Sequence, residues 1–553
     1  MKFDRRRFLA TLGAAAGGAA ASRLVGDGWL PEFVAPRVAR AAGASPFRGF
    51  VLCYGMQHLC AHQMRFVPKG EDREKFNLDR YNFRETGKLP ETGGGYVVDL
   101  KDSGLDWPEP IRAIVDAPFN VPAEYITIID GLANSAMHIE RDKFGTSATS
   151  HAWSQASVLT GGPALNSLGT PSYPDVAWRI HEHLARQQGN SYQLLGFDTG
   201  YNRGTHQAEN FFGQPSAAFD PNDGSQTLSN RLELGLQRPS RIWDDVFRDR
   251  SYPDGSAPKV DPLKQARPQT VRAVIERYKR LLGRVKIQYD QDRLAQQIAR
   301  LEQLYQDTQL PAPISQQCSK PTQPPAPTEG TYVQELMAVG KMIAMAFACD
   351  ISRVAGVHFR MPNAGVLENL KDYVFRFADG TSETVRGDVH NIHAHASSAS
   401  RREDHTDAEW NEAHRVMRLY NRSHCEYVAA IASELHRTSD PLSGKSLLDN
   451  TLIVLTAELS DGAHEVNDRM MVLVGKMPGL NTGKYYRFPA VNPMRVDNII
   501  RNYLHYAPYQ DIAQFYITLM QAYGMTIDRI GPTEYKGDGK LANRSGTLKE
   551  LIA

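Results

Sequence analysis

Residues 452–455 constrain the fold more than any other stretch, because four consecutive apolar residues, two of them β-branched, are typical of a strand buried on both faces of a sheet. Mostly apolar segments that also predict strands recur at residues 50–55, 125–129, 193–197, 353–357 and 471–474. Segments with helical spacing lie between them, for example residues 175–186 and 335–348. Strands that alternate with helices predict an α/β fold with a mostly parallel sheet.

Polar residues follow the apolar run at 452–455 at once. Glu458, Asp461 and His464 lie within seven residues, and Asp130 ends the run at 125–129. Ligands of open parallel sheets bind beyond the carboxyl ends of the strands. These residues are therefore candidates for a metal or acid–base site; a solvated loop after a core strand is the alternative.

A histidine-rich stretch in the second half suggests metal binding. His390, His393 and His395 lie within six residues. In a strand, His393 and His395 would point to the same face and could bind one metal ion, since neutral imidazole is a ligand of zinc and related ions. A His-rich surface loop and a proton-linked switch are the alternatives. His414 and His424 have helical surroundings, which favour a structural role.

Residues 150–162 follow the second predicted strand and should open a helix, whose N-terminus favours an anion. Ser150, His151 and Ser154 are candidate nucleophiles or ligands there, although Ser150 could simply cap the helix. A GxSxG elbow is missing, which argues against an α/β-hydrolase. The sequence has no P-loop and no strand-linked GxGxxG, so it does not predict nucleotide binding of those kinds.

The N-terminus indicates export. Residues 4–9 read Asp-Arg-Arg-Arg-Phe-Leu and precede an Ala- and Gly-rich run at 10–21, which is typical of a twin-arginine signal. Residues 39–41 offer a small-x-small cleavage site, so we expect a signal peptide at 1–42; an uncleaved anchor is the alternative. The run is too short for a transmembrane helix. We therefore expect the twin-arginine machinery to deliver a periplasmic or extracellular protein.

Charge and cysteine content exclude some classes of protein. The 63 Lys and Arg residues balance 62 Asp and Glu residues, so no global field favours nucleic acid or an anionic membrane. The five cysteines are an odd number, which argues against a fully paired disulfide framework. Cys53 and Cys60 could pair if their loop folds back, but no redox motif accompanies them.

We expect one α/β domain made of two halves, residues 43–261 and 331–553. Residues 69–109 lack periodicity and predict a surface excursion. Residues 262–309 have apolar spacings of three and four, which predict a long helical insert of two amphipathic helices with solvated charged faces. Residues 310–330 are Pro-rich and predict an extended linker.

Several segments in this order resemble the HXXSHH-motif family of exported bacterial proteins. The resemblance covers most of the mature chain and rests on the twin-arginine start, Leu-Thr-Gly at 159–161, and residues 286–308, 343–354, 448–462 and 512–524. The naming motif keeps His390 and His395, whereas His393 and Ala394 stand where the family has Ser and its middle His.

That family is remotely similar to the alkaline phosphatase and sulfatase superfamily. The resemblance implies a three-layer α/β/α sandwich, alkaline-phosphatase-like, with metal ions at the carboxyl ends of its strands, and it matches Asp461 and His464 to late metal ligands. The nucleophile position, nine residues before Thr160, is His151. Cys53 to Gly55 end the first strand where a metal-binding Asp is usual.

These features predict an exported metal-dependent hydrolase of phosphate, sulfate or related esters, acting on a small molecule or a polymer. Metal-activated water would be the nucleophile, because the usual hydroxyl is missing. The predicted catalytic residues are His151, Ser150 and Glu458, and the predicted ligands of the divalent ion, zinc among the candidates, are Asp461, His464, His393, His395 and Asp130. The alternative is a non-catalytic binding or assembly protein on a degenerate hydrolase scaffold, with the helical insert as partner surface. The oligomeric state is not predicted.

Overall fold

The structure is a computed structural model that describes most of the chain after the N-terminal segment. The described residues are 49–59, 61–70, 96–102, 104–136, 139, 151–163, 173–188, 192–199, 213–214, 222–223, 232–233, 236–248, 250, 262–285, 290–291, 294–295, 297–298, 301–302, 318–326, 331–359, 372–387, 389–397, 404–440, 443–460, 469–488, 510–537 and 540–553.

A large sheet lies at the centre of the described part. Its eight strands in chain order are β1 Gly49–His58, β2 Tyr96–Asp99, β3 Ile126–Leu132, β4 Leu194–Thr199, β5 Val354–Phe359, β6 Thr451–Leu459, β7 Arg469–Gly475 and β8 Lys484–Arg487. Their order across the sheet is β2-β8-β3-β7-β6-β1-β5-β4.

The sheet is mostly parallel. Strands β6, β1, β5 and β4 run parallel to their neighbours in this series, and β8 is parallel to β3. Strand β7 is antiparallel to both β6 and β3, and β2 is antiparallel to β8. The predicted α/β fold with a mostly parallel sheet is therefore confirmed.

Both faces of the sheet are buried, as the unbroken apolar runs indicated. All nine residues of β6 are buried. Val51 and Cys53 of β1 belong to one hydrophobic cluster, whereas Phe50 and Leu52 belong to another. Because side chains alternate along a strand, the two clusters lie on opposite faces of the sheet.

Helices from different parts of the chain supply the two clusters. The α-helices of seven or more residues are α1 Glu109–Val115, α2 His151–Thr160, α3 Val176–Gln188, α4 Pro262–Leu282, α5 Tyr332–Ala348, α6 Asp407–Arg437 and α7 Ile512–Ala522. Side chains of α1, α5 and α6 pack with Val51 and Cys53, and side chains of α2, α3 and α7 pack with Phe50 and Leu52. Helices thus cover both faces.

Helix α6, with 31 residues, is the longest of the described helices. A capping box starts it: the Glu409 backbone N–H donates to the Thr406 hydroxyl, and the Glu409 carboxylate accepts from the Thr406 backbone N–H at 2.9 Å. A Cβ built on Gly340 of α5 would lie 2.8 Å from the Ala430 carbonyl oxygen. Glycine therefore allows the backbones of α5 and α6 to approach closely.

Three regions outside the helical layers bear on the sequence predictions. Residues 96–99, within the predicted surface excursion, form the edge strand β2.

Helix α4 lies in the predicted insert, and helical residues between 290 and 302 pack on it. Lys279 of α4 and Glu302 approach to 2.7 Å. In the Pro-rich segment Pro321 is buried, and its carbonyl oxygen accepts a hydrogen bond from the Trp243 indole at 2.8 Å.

Two cysteines form a disulfide bond. Cys318 and Cys349 are bonded, with their Cα atoms 5.4 Å apart. Cys53 and Cys425 are buried free thiols. The pairing of Cys53 with Cys60 that the sequence left open is therefore not formed, since Cys53 points into the core between the sheet and its helices. None of the helices in the described part of the chain is long and apolar enough to cross a membrane.

Candidate functional site

Polar side chains lie side by side in the carboxyl-terminal halves of four parallel strands. The strand register aligns Asp198 of β4 with His358 of β5, His358 with Tyr54 of β1, and Tyr54 with Thr456 of β6. Residues aligned in this way point to the same face of a sheet. We name the group formed by Asp198, His358, Tyr54, Glu458 and His424 the rim cluster.

Asp198 and His358 approach each other on adjacent strands. The Asp198 Oδ1 atom lies 3.6 Å from His358 Nδ1, and both side chains are buried. The Thr199 hydroxyl donates to the His358 carbonyl oxygen at 2.9 Å, which ties the ends of β4 and β5 together. The separation is slightly longer than a hydrogen bond, so the contact is electrostatic, and the carboxylate lies on the Nδ1 side of the ring, away from Nε2.

Tyr54 connects this pair to Glu458. The Tyr54 hydroxyl donates to Glu458 Oε2 at 3.2 Å, and the Tyr54 ring stacks on His358 with centroids 5.5 Å apart. Burial, and then the nearby Glu458 carboxylate, raises the pKa of Tyr54 well above its ordinary value. Tyr54 therefore remains a protonated phenol and a hydrogen-bond donor.

Helix α6 contributes His424 from the other face of the sheet. A Cβ on Gly55 would lie 3.0 Å from the His424 Cε1 and Nε2 atoms, so glycine at this position of β1 makes room for the ring. The ring stacks on Phe359 and is fully buried. Neither ring nitrogen has a hydrogen-bond partner among the described residues. Burial, and then the proximity of His358, lowers the pKa of His424 to about 3, so the ring is neutral at neutral pH.

This neutral histidine should make the protein less stable in acid. Between about pH 3 and pH 6.5 the unfolded chain binds a proton at His424 that the native state does not, so stability falls as pH falls through that window. We expect His424→Gln to reduce the loss of unfolding free energy between pH 7.5 and pH 4.5 by roughly 2.5 kcal/mol. Urea unfolding of wild type and variant at both pH values measures this.

The comparison between variants is needed because other groups also titrate. Burial lowers the pKa of His181 to about 4, which acts in the same direction, whereas burial raises the pKa of Glu426 to about 7, which acts in the opposite one. Ser423→Ala, a change of a buried residue that does not titrate, should alter stability equally at both pH values. An unchanged pH dependence in His424→Gln would contradict the assignment of a buried neutral imidazole.

Arg469 and Ser154 hold the end of β6. Because β7 is antiparallel, its first residue, Arg469, lies at the edge where β6 ends. Its guanidinium donates to the Ala457 carbonyl oxygen at 2.7 Å, to the Ser154 hydroxyl at 2.8 Å and to the Glu458 carbonyl oxygen. The Ser154 hydroxyl of α2 also donates to the Glu458 carbonyl oxygen. These bonds fix the backbone from which the Glu458 side chain projects.

Asp130, a predicted metal ligand, forms a buried ion pair. Both of its carboxylate oxygens lie 3.3 Å from Arg65 Nε, and the Tyr485 hydroxyl donates to Oδ2 at 2.6 Å. The side chains of Arg65 and Asp130 are fully buried. The guanidinium thus supplies a positive charge at Asp130, and the metal-ligand role of Asp130 stays a prediction.

His393 and His395 do not lie in a strand, so the alternation that would place them on one face does not apply, and their role as metal ligands stays a prediction. Residues Val389–Ala394 form a π-helical turn, in which successive side chains do not alternate between two faces. His393 Nε2 hydrogen-bonds the Arg386 carbonyl oxygen at 2.9 Å, and His395 is only half-buried. His414 hydrogen-bonds the Ser397 carbonyl oxygen and the Gln63 amide, in line with its predicted structural role.

The other predicted site residues fall into three groups. Glu458 belongs to the rim cluster. His151 begins α2, but its side chain is outside the described part of the structure. Ser150, Asp461 and His464 lie outside the described residues. The described ranges contain no group of three or more His, Cys, Asp or Glu side chains that could hold a metal ion.

Comparison of the chain with models of known protein families, with curated proteins and with solved structures finds no match.

Proposed function

We propose that the protein is an exported hydrolase of phosphate, sulfate or related esters, and that Asp198 and His358 are its acid–base pair. The observation that carries the proposal is the approach of these two side chains to 3.6 Å at the carboxyl ends of adjacent parallel strands. Open α/β sheets bind their ligands at the carboxyl ends of their strands.

The chemistry follows from the orientation of the pair. His358 Nε2 would take a proton from an attacking water molecule, and the water oxygen would form a bond to the phosphorus, sulfur or carbonyl carbon of the ester. The bond to the leaving oxygen breaks, and the imidazolium returns the proton to that oxygen. Asp198 stabilises the imidazolium between these steps, as a carboxylate beside Nδ1 does in other hydrolases.

The burial of the rim cluster also supports a functional role. Burying a polar or ionisable side chain in a protein interior is unfavourable unless its hydrogen bonds and charges are matched. Asp198, His358 and Glu458 are all buried at one edge of the sheet. Strongly perturbed ionisable groups are concentrated at functional sites, and His424 beside them has such a pKa.

The metal part of the prediction stays a proposal that rests on the resemblance to alkaline phosphatases and sulfatases. The described candidates do not support it, because Arg65 pairs with Asp130 and the Arg386 carbonyl oxygen occupies His393 Nε2. We therefore assign no catalytic step to a divalent ion.

The alkaline-phosphatase-like sandwich and the export of the protein are also proposals. Helices on both faces of the sheet support the first, and the twin-arginine segment supports the second. The Cys318–Cys349 disulfide suits an oxidising compartment.

One observation favours the alternative of a binding or assembly protein on a degenerate scaffold. Tyr54, His358 and His424 are each fully buried, whereas a working base must be reached by water and substrate.

An activity and metal assay distinguishes the two proposals. The protein, purified without chelator, is tested on nitrophenyl esters of phosphate and sulfate, on a phosphodiester and on a carboxylic ester, and its metal content is measured by elemental analysis. We expect hydrolysis of at least one ester class. If a divalent ion takes part, dialysis against EDTA abolishes turnover and added zinc or another divalent ion restores it. Absence of turnover with every ester and every added ion would reject the hydrolase in favour of the scaffold.

A further inference from the structure

Helix α4 has one packed face and one exposed face. Val271, Ile275 and Leu282 are buried against Ile298 of the second helical segment of the insert. These positions have helical spacing and account for the pairing of the two segments. The neighbouring face of α4 lies open to solvent.

That open face carries aliphatic and basic side chains in line. Val274 and Leu281 are 37% and 48% exposed, although both are large apolar residues. Arg277 and Arg284 are exposed as well. The spacings of three, four and three residues place Val274, Arg277, Leu281 and Arg284 along one side of the helix and its last turn. We name these four residues the α4 strip.

The charge of this region differs from that of the whole chain. Between residues 270 and 285 there are five Arg or Lys residues and one acidic residue, Glu276, whereas the complete chain has 63 basic and 62 acidic residues. Lys279 pairs with Glu302. No ion pair to a described carboxylate is found for Arg272, Arg277 or Arg284. The excess of positive charge is therefore confined to this region of the chain.

We propose that the α4 strip binds the surface of an anionic lipid bilayer. The partner must neutralise guanidinium groups and also take exposed aliphatic side chains out of water. A bilayer interface does both, because arginines bind lipid phosphates while Val274 and Leu281 enter the boundary between headgroups and acyl chains. A soluble polyanion would bind the arginines only. This proposal is independent of the hydrolase proposal, and it places the protein at a membrane surface.

Vesicle co-sedimentation of the full chain tests the proposal. Vesicles of phosphatidylcholine with about 30% phosphatidylglycerol are compared with pure phosphatidylcholine at 0.1 M salt, where the screening length is about 10 Å. We expect binding to the anionic vesicles only, and its loss at 1 M salt, where the screening length is about 3 Å. All variants keep the N-terminal segment, so its contribution is common to them.

Two substitutions and one matched control locate the contact. Arg277→Gln should weaken binding about fivefold, the effect of one basic residue at an anionic surface, and Leu281→Ser about tenfold. Arg272→Gln removes the same charge from another side of α4 and should weaken binding less than about twofold. All three positions are exposed, and circular dichroism verifies that the variants fold.

Three outcomes would overturn the proposal. They are equal effects of Arg277→Gln and Arg272→Gln, binding that is insensitive to Leu281→Ser, and wild-type binding that does not distinguish anionic from neutral vesicles. Insensitivity to Leu281→Ser together with binding to heparin would indicate a soluble acidic partner.

Discussion

Replacing His358 by Gln is expected to lower the rate of ester hydrolysis by about 10²- to 10⁴-fold, the usual contribution of a general base. Gln keeps a polar side chain of similar length but cannot accept a proton from water. Steady-state kinetics on the best ester substrate, at a temperature where circular dichroism shows both proteins folded, measures kcat. Asp198→Asn should also lower kcat and should change its pH profile, because the pair loses the charge that stabilises the imidazolium.

His414→Gln is the matched control for this experiment. It makes the same chemical change in a buried histidine, but His414 hydrogen-bonds the Ser397 carbonyl oxygen and Gln63 and does not belong to the rim cluster. We expect its kcat to fall by less than about threefold, since no acid–base role is assigned to it. A His358→Gln enzyme that retains wild-type kcat would show that hydrolysis takes place elsewhere.

Replacing Asp130 by Ala should cost about 3–5 kcal/mol of unfolding free energy, which is typical of breaking a buried ion pair from one side. The Arg65 guanidinium would remain fully buried without its carboxylate, and Tyr485 would lose the acceptor at 2.6 Å. Equilibrium unfolding in urea at pH 7 measures the change.

A double substitution tests whether the cost comes from the unpaired charge. Arg65→Met combined with Asp130→Leu should recover part of the loss, because apolar residues of similar volume can replace a buried pair. Asp245→Ala, which breaks the exposed pair with Arg241 at 3.5 Å, serves as the control and should change stability by less than about 1 kcal/mol. If Asp130→Ala were as mild as this control, the ion pair would not be a determinant of stability.

The apolar runs predicted the central strands well, because a strand buried on both faces must be apolar throughout. The strands at the β2 end of the sheet were harder to predict from the sequence. Strands β2 and β8 have four residues each, and β2 exposes Val97, so neither shows a long apolar run. The antiparallel direction of β7 could have been inferred, because nine residues between Leu459 and Arg469 are too few for a crossover helix.

The candidate site was only partly visible in the sequence. Asp198 and His358 each close an apolar run, and this position at a strand end is the signal for both. Their pairing depends on strand order, since β4 and β5 are adjacent in the sheet but more than 150 residues apart in the chain. His424 gave no signal, because its approach to Gly55 depends on how α6 packs. For His393 and His395, a local π-helical turn overrode the expected alternation.

The residue at position 340 of α5 affects the rim cluster, because Gly340 allows α6 to pack closely on α5. Any larger residue there would meet the Ala430 carbonyl oxygen and displace α6, which carries His424 six residues earlier. In a saturation mutagenesis experiment selected for activity, position 340 should therefore behave like a residue of the site itself, although it belongs to a different helix.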